Sequence, residues 1–282
     1  MKWLLRQSLT FFVWFTHRLK RLAIRLTQWT GKSSVRVHPK HLLPRDEEHY
    51  WYLKYLSSDD DLLDVGCGNG MNTLKAAMKV RTAVGIELDN KNLEAARELQ
   101  RQQRIANVQF TLSNASEPLP FNDHRFDKIL FFDVLEHIVD RQPLLHELHR
   151  VLKVNGTLLL SVPNGETRWR RFLRRAGAFS YSDPDHKIEY SRDGLEKELN
   201  AGGFRCMTWL PSVYDTPWVG FFDLLGGFSL RLYKRTCDWK RRRAAAEPSE
   251  SIGFWVLCQA IPSSERFTDD STRLPKEAAP LA

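Results

Sequence analysis

The spacing of apolar positions changes period several times along the chain. Leu5, Leu9, Phe12, Phe15, Leu19, Leu22, Leu26 and Trp29 recur at steps of three and four, which predicts one continuous stripe on an α-helix. Arg18, Arg21 and Arg25 fall together on its flank. From about residue 61, short apolar runs alternate with helical stretches. Strands are expected at Leu62–Val65, Ala83–Glu87, Val108–Leu112, Phe126–Phe132 and Gly156–Val162, with late ones at Phe204–Leu210 and Ile252–Ala260. Helices are expected at Met71–Val80, Asn90–Arg104, Gln142–Leu152 and Arg192–Ala201, the last stopped by Gly202 and Gly203. Such alternation implies an α/β fold, a parallel sheet covered by helices on both faces. Ligands bind such sheets at the carboxyl ends of the strands.

The pattern divides the 282 residues into an N-terminal arm (1–45), a body (46–261) with an insertion at 211–250, and a polar tail (262–282) that reads as loose. Charge sharpens this division. The arm holds ten Lys and Arg and no acid, while the whole chain has a net charge of +8, so the body is close to neutral. A protein that wraps nucleic acid usually has a basic body, which argues against nucleic acid as the partner. No apolar run reaches the roughly 18–20 residues that span a bilayer. A basic helix rich in Trp, Phe and Leu suits the surface of an anionic membrane. The same helix could instead pack on the body or a partner subunit, or act as an Arg-rich targeting peptide. Cys67, Cys206, Cys237 and Cys258 form no paired metal spacing and fit a reduced compartment, hence a cytoplasmic protein with peripheral membrane attachment.

The densest chemical signal is Asp64-Val65-Gly66-Cys67-Gly68-Asn69-Gly70, placed between a strand and a helix. Glycines there allow φ > 0 and close approach of a ligand, and the helix start offers free N–H groups. Glu87 ends the next strand, where a carboxylate can accept bonds from ribose hydroxyls. The order strand, glycine loop, helix, strand and acid is more specific than Gly-x-Gly alone. A dinucleotide site wants glycine at the sixth position of the loop, and Met71 stands there instead.

Leu62–Gly70 resembles the first motif of class I S-adenosylmethionine-dependent methyltransferases, and Gly85-Ile86-Glu87 resembles their acidic second motif. Ser113-Asn114-Ala115, Leu119-Pro120-Phe121, Asp133-Val134-Leu135-Glu136-His137 and Ser161-Val162-Pro163-Asn164 resemble later motifs in the same order. The resemblance covers roughly residues 45–210 and 251–261. It implies a Rossmann-like, mostly parallel seven-stranded sheet, S-adenosylmethionine as cofactor, and a transferase activity. It also implies roles. Gly66 and Gly68 would contact the methionine part of the cofactor, Asp64 would orient the loop or bind the amino group, and Glu87 would bind the ribose. Asn114 and Ala115 would meet the adenine, and Phe132 the region beside the sulfonium.

A hydroxyl acceptor benefits from a base, and Asp133, Glu136, His137 and His186 are the candidates near the methyl end. Asp133, Glu136 and His137 have i, i+3, i+4 spacing, so on a helix they would share a face. This spacing resembles the Glu-x-x-Glu-His segment of ubiquinone-pathway O-methyltransferases, which is associated with a divalent cation. Mg²⁺ is therefore possible here, but the shorter Asp133 counts against it, and Asp133, His137 and His186 are taken as catalytic with no metal. Two additions bear on the acceptor. Arg168, Arg170, Arg171, Arg174 and Arg175 interleave with Trp169 and Phe172 after the fifth strand, as a phosphate site or a solvated helix. The apolar run Trp218–Phe228 precedes a basic cluster at 231–243, as a membrane contact, a lid or a dimer contact. The expected function is O-methylation of a lipid-linked or amphipathic acceptor at a membrane surface. The alternatives are a soluble RNA or protein methyltransferase and a cofactor-binding module without catalysis.

Overall fold

The computed structural model describes residues 2–34, 36–43 and 50–262. Most of the tail (263–282) and the expected boundary near residue 45 lie outside the described residues. A seven-stranded sheet forms from β1 (Asp61–Val65), β2 (Thr82–Glu87), β3 (Val108–Leu112), β4 (Phe126–Phe132), β5 (Leu152–Pro163), β6 (Phe204–Pro211) and β7 (Gly253–Ala260). Their order is β3-β2-β1-β4-β5-β7-β6. Strands β1 to β5 pair in parallel, and β7 runs antiparallel to both β5 and β6. The order reverses between β1 and β4, which opens a crevice at their carboxyl ends.

Central strands of this kind are buried on both faces, which explains their continuous apolar runs. Leu62, Leu63 and Val65 of β1 are sealed from solvent. On one face lie α2 (Met71–Ala77) and α3 (Asn90–Gln103), which add Leu74, Leu93 and Ala96 to a core completed by Trp51 and Tyr52. On the other lie α4 (Arg141–Val151) and α6 (Arg192–Ala201), with Leu144, Leu148, Leu195 and Leu199. Two boundaries differ from the sequence reading by more than one residue. Helix α2 stops at Ala77, and β5 starts at Leu152 rather than Gly156, because Leu152 already pairs with Phe126.

The arm and the insertion fold together. α1 (Lys2–Trp29) lies against α7 (Val219–Phe228), which leads into α8 (Leu230–Ala246). The contact depends on small residues: a Cβ at Gly220 would stand 2.4 Å from the Thr16 carbonyl oxygen, and one at Gly227 would stand 2.7 Å from Leu26 Cβ. The expected stripe is therefore only partly right. Leu19 and Leu26 are buried, together with Thr16, Ala23 and Thr27, whereas Leu5, Phe15, Leu22 and Trp29 face solvent. The glycine face of α7 selects narrow partners, so the buried face is rotated away from the bulky residues. No helix among the described residues is long and apolar enough to cross a membrane.

The arginine-rich segment forms α5 (Arg168–Arg175), capped by Thr167. Three of its arginines have protein partners. Arg170 is buried, donates to Ser180 O at 2.7 Å and faces Asp215. Arg168 pairs with Glu247 and Glu250, and Arg174 pairs with Glu166. The contacts with Asp215, Glu247 and Glu250 tie α5 to the insertion.

Candidate functional site

The glycine loop leaves β1 at the edge of the crevice. Gly66 and Gly68 adopt φ of +74° and +54°, values open to glycine at little cost. A Cβ on Gly66 would come within 2.3 Å of Val134 Cγ2, so the loop must pass close to the end of β4 there. A Cβ on Gly68 would meet nothing within 4 Å. Gly68 thus lines open space, as a backbone that receives a ligand should. Beneath it Asp64 is buried, and its Oδ2 accepts a 2.6 Å bond from the Thr73 hydroxyl. That bond ties the strand end to the first turn of α2. Burial pushes the Asp64 carboxyl up to about 7, although the Thr73 bond pulls the other way.

Glu87 stands where expected, at the end of β2. Its Oε2 accepts the Gly68 N–H at 2.9 Å, and its Oε1 accepts the N–H groups of Leu88 and Asp89, each at 2.9 Å. Three backbone donors fix the carboxylate beside the loop, and Oε2, with a single bond, keeps a lone pair for a further donor. Asn114 forms an Asx turn. Its Oδ1 accepts Ser116 N–H at 3.0 Å, and its Nδ2 donates to Glu117 at 3.1 Å. Ala115 packs against the core beside it. Phe132, half-buried at the end of β4, rests on Trp51 and Tyr52 with ring centroids 5.7 and 5.2 Å away. Sequence reasoning missed this aromatic wall, although Tyr50-Trp51-Tyr52 just before β1 was its available signal. Cys67 is buried, its thiol is pushed well above the ordinary range by burial, and it is no nucleophile.

Past Phe132 the chain turns sharply. Asp133 has φ +55°, which is costly for a residue with a side chain. Its Oδ1 accepts the Ser161 hydroxyl at 2.8 Å. A 3-10 turn follows at Leu135–His137, so the α-helical face expected for Asp133, Glu136 and His137 does not form. Instead His186 comes in from the segment after α5. The His137 and His186 rings lie 4.7 Å apart, edge to face. His186 Nδ1 is 3.1 Å from Glu189 Oε1, and its Nε2 is 3.9 Å from Glu136 Oε1. Glu136 is buried, and burial first, then the Asp133 charge, pushes its carboxyl up to about 8. Its Oε2 and that of Glu189 have no hydrogen-bond partner among the described residues.

An imidazole held by a carboxylate behind it is the arrangement that orients a proton acceptor. His137 is the exposed member of the group, and Glu136 and His186 stand behind it. Donor atoms of Glu136, His137 and His186 lie within 4.8 Å of one another. One carboxylate with two imidazoles does not fit Mg²⁺, which prefers oxygen ligands, and Asp133 turns toward Ser161. The structure thus brings His137 and His186 together with Glu136, while Asp133 turns to Ser161, and it sets Asp64, Gly66, Gly68 and Glu87 around the loop after β1, which meets the end of β4 where Gly66 abuts Val134. Phe132 lies between β1 and β5, while Asn114 and Ala115 follow β3 on the cofactor side. Glu189, unmarked in the sequence reading, completes the His186 pair.

Comparisons with known proteins agree with this fold. A family profile described as a methyltransferase domain matches residues 56–199. A probable S-adenosylmethionine-dependent methyltransferase of Mycolicibacterium smegmatis is 28% identical over 242 residues, covering 81% of this chain and 88% of that protein. A similar Mycobacterium tuberculosis protein is 27% identical over 56% of this chain and 57% of its own length. A demethylmenaquinone methyltransferase of Tropheryma whipplei is 30% identical over 55% of this chain and 70% of its own length. Among solved structures, a putative methyltransferase from Bacillus halodurans superposes with a TM-score of 0.53 at 17% identity, covering 76% of this chain and 99% of that one. One from Methanosarcina mazei gives 0.52 at 20% identity, covering 74% and 95%.

Proposed function

The chain belongs to the methyltransferase-domain family and is a class I S-adenosylmethionine-dependent methyltransferase, and on that premise we propose that it methylates a hydroxyl of an amphiphilic acceptor at a membrane surface. The observation that carries the membrane part is a ridge of aromatic rings across three helices. On α1, Phe11 stacks on Trp14 at 5.6 Å and on Phe15 at 6.3 Å, Phe15 meets Phe221 at 6.1 Å, and Phe221 meets Trp218 at 5.6 Å. Phe12 joins Trp218 to Trp169 of α5, which leads to Phe172. Phe11 is 63% exposed, Trp14 47% and Trp218 52%. The Arg18 guanidinium lies over Trp14 at 4.8 Å. Exposed aromatics interleaved with arginine suit the interface of an anionic bilayer. The relative named for demethylmenaquinone points the same way.

The open space beside Gly68 and the fixed carboxylate of Glu87 fit the cofactor. When bound, S-adenosylmethionine supplies an electrophilic methyl group. The chain's own work is to hold and to deprotonate. Glu87 and the backbone at Gly66 and Gly68 would bind the cofactor, with Asp64 bracing the loop. His137 accepts the proton of the acceptor hydroxyl as the oxygen attacks, and His186, held by Glu189, supports the charge that His137 gains. Glu136, buried and with its carboxyl pushed up to about 8, is protonated near neutral pH and adds no charge beside His186.

The test is incubation of the enzyme and methyl-labelled cofactor with a total lipid extract, followed by mass spectrometry of the labelled product. A methyl ether on a lipid is expected, and His137→Ala should lower kcat by 10²–10⁴-fold with little change in cofactor affinity. Label confined to protein or RNA would sink the acceptor reading, and an unchanged kcat would remove His137 from the chemistry.

A further inference from the structure

A cavity of about 900 Å³ lies on the α2 face of the sheet, apart from the His137 group. It is bounded by the segment before β1, the end of α2, the facing ends of β6 and β7, and α8. Its floor is apolar: Trp51, Trp255 and Leu210. Trp51 stacks flat on Trp255, with centroids 5.5 Å apart and planes 7° off parallel. The rim is cationic. Lys54, Lys75, Lys79, Arg241 and Arg242 line it, and among the described residues Asp238 is the single acid there. Asp238 is already engaged, by Lys234 at 2.9 Å and Arg241 at 3.6 Å. Among the described residues no carboxylate stands within ion-pair distance of Lys75, Lys79 or Arg242.

Lys75 and Lys79 line the same cavity, where like charges repel, and a bound anion offsets that cost. A volume near 900 Å³ suits a ligand of modest size. Indole walls call for an apolar body, and crowded ammonium and guanidinium groups call for a phosphate. Trp51 forms a cavity wall and also touches Phe132 at 5.7 Å, so one indole separates the cavity from the cluster that borders the cofactor crevice.

We propose that this cavity holds the phosphate end of an amphiphile, with its chain along Trp51, Trp255 and Leu210 and its phosphate among Lys75, Lys79 and Arg242. The inference rests on the reading of an amphiphilic acceptor and gives that acceptor a phosphate.

Calorimetric titration of the full chain with farnesyl phosphate, farnesol and inorganic phosphate tests it. Farnesyl phosphate should bind at least tenfold more tightly than either of the others. Lys75→Glu combined with Lys79→Glu should cost tenfold or more for farnesyl phosphate and leave farnesol and S-adenosylmethionine unchanged. The retained cofactor affinity shows that the variant is folded. Arg242→Glu, on the α8 wall, should reproduce the loss. Equal affinity for farnesol and farnesyl phosphate would overturn the proposal, as would inorganic phosphate binding as tightly as farnesyl phosphate, or charge reversals without effect. Phosphate-dependent binding with no methylation of any lipid would instead overturn the acceptor reading and leave the cavity assignment standing.

Discussion

Asp64 is buried beneath the glycine loop, with its carboxyl pushed from 3.8 up to about 7. The sign of its effect on stability follows directly. Below about pH 4 the folded and unfolded chains both hold this proton, and between about 4 and 7 only the folded chain does. The cofactor-free protein therefore loses stability from this group as pH rises through that window. Asp64→Asn should flatten this part of the curve, measured by calorimetric Tm at pH 4.5, 5.5 and 7; parallel wild-type and variant curves would contradict the assignment. A slope of the same sign, reaching to about pH 8, remains from Glu136. At this scale the sequence was most readable where the site is local. Asp64, Gly66 and Gly68 lie within five residues, and Glu87 ends the adjacent strand, so spacing together with the family resemblance singled them out. The base cluster was less readable. His137 and His186 could be named, but Glu189 was passed over although it stands only three residues after His186, because no regular element was expected there to give that spacing meaning. The strained Asp133 also broke the helical face that its spacing suggested.

Between elements, the contact of α1 with α7 carries a specific steric demand. Gly220 faces the backbone of Thr16, which cannot swing aside as a side chain would. Gly220→Val should lower Tm by several degrees and speed proteolysis of the N-terminal helix, in keeping with an overpacking cost of about 1–3 kcal/mol. Cofactor affinity should persist, because the glycine loop lies on a different element. A variant as stable and as protease-resistant as the wild type would show that the two helices do not pack this way. The strand and helix alternation was legible in the body because each element repeats its own period. The arm was harder to read. Its heptad-like run of bulky residues predicted one stripe, yet the partner helix is lined with glycine, so Thr16 and Ala23 are buried where Phe15 and Leu22 are not. Periodicity marks which residues could face inward, and the partner's shape decides which do.

Across the whole molecule, the aromatic ridge, the arm and the basic helices form one side, and the cofactor crevice opens at the carboxyl ends of the strands. Flotation on vesicles containing anionic lipid should carry the wild type upward, less so at high salt, and Phe11→Ser with Trp14→Ser should leave it in the soluble fraction. Equal recovery of both proteins on neutral and anionic vesicles would remove the membrane from the account. The central claim is narrower than this: the turn after β1 and the acid ending β2 together grip S-adenosylmethionine. Calorimetric titration of the purified chain with that cofactor tests it most directly. One molecule should bind per chain, and Glu87→Ala should weaken the affinity by tenfold or more. Absence of binding, or an unchanged affinity in Glu87→Ala, would contradict the claim.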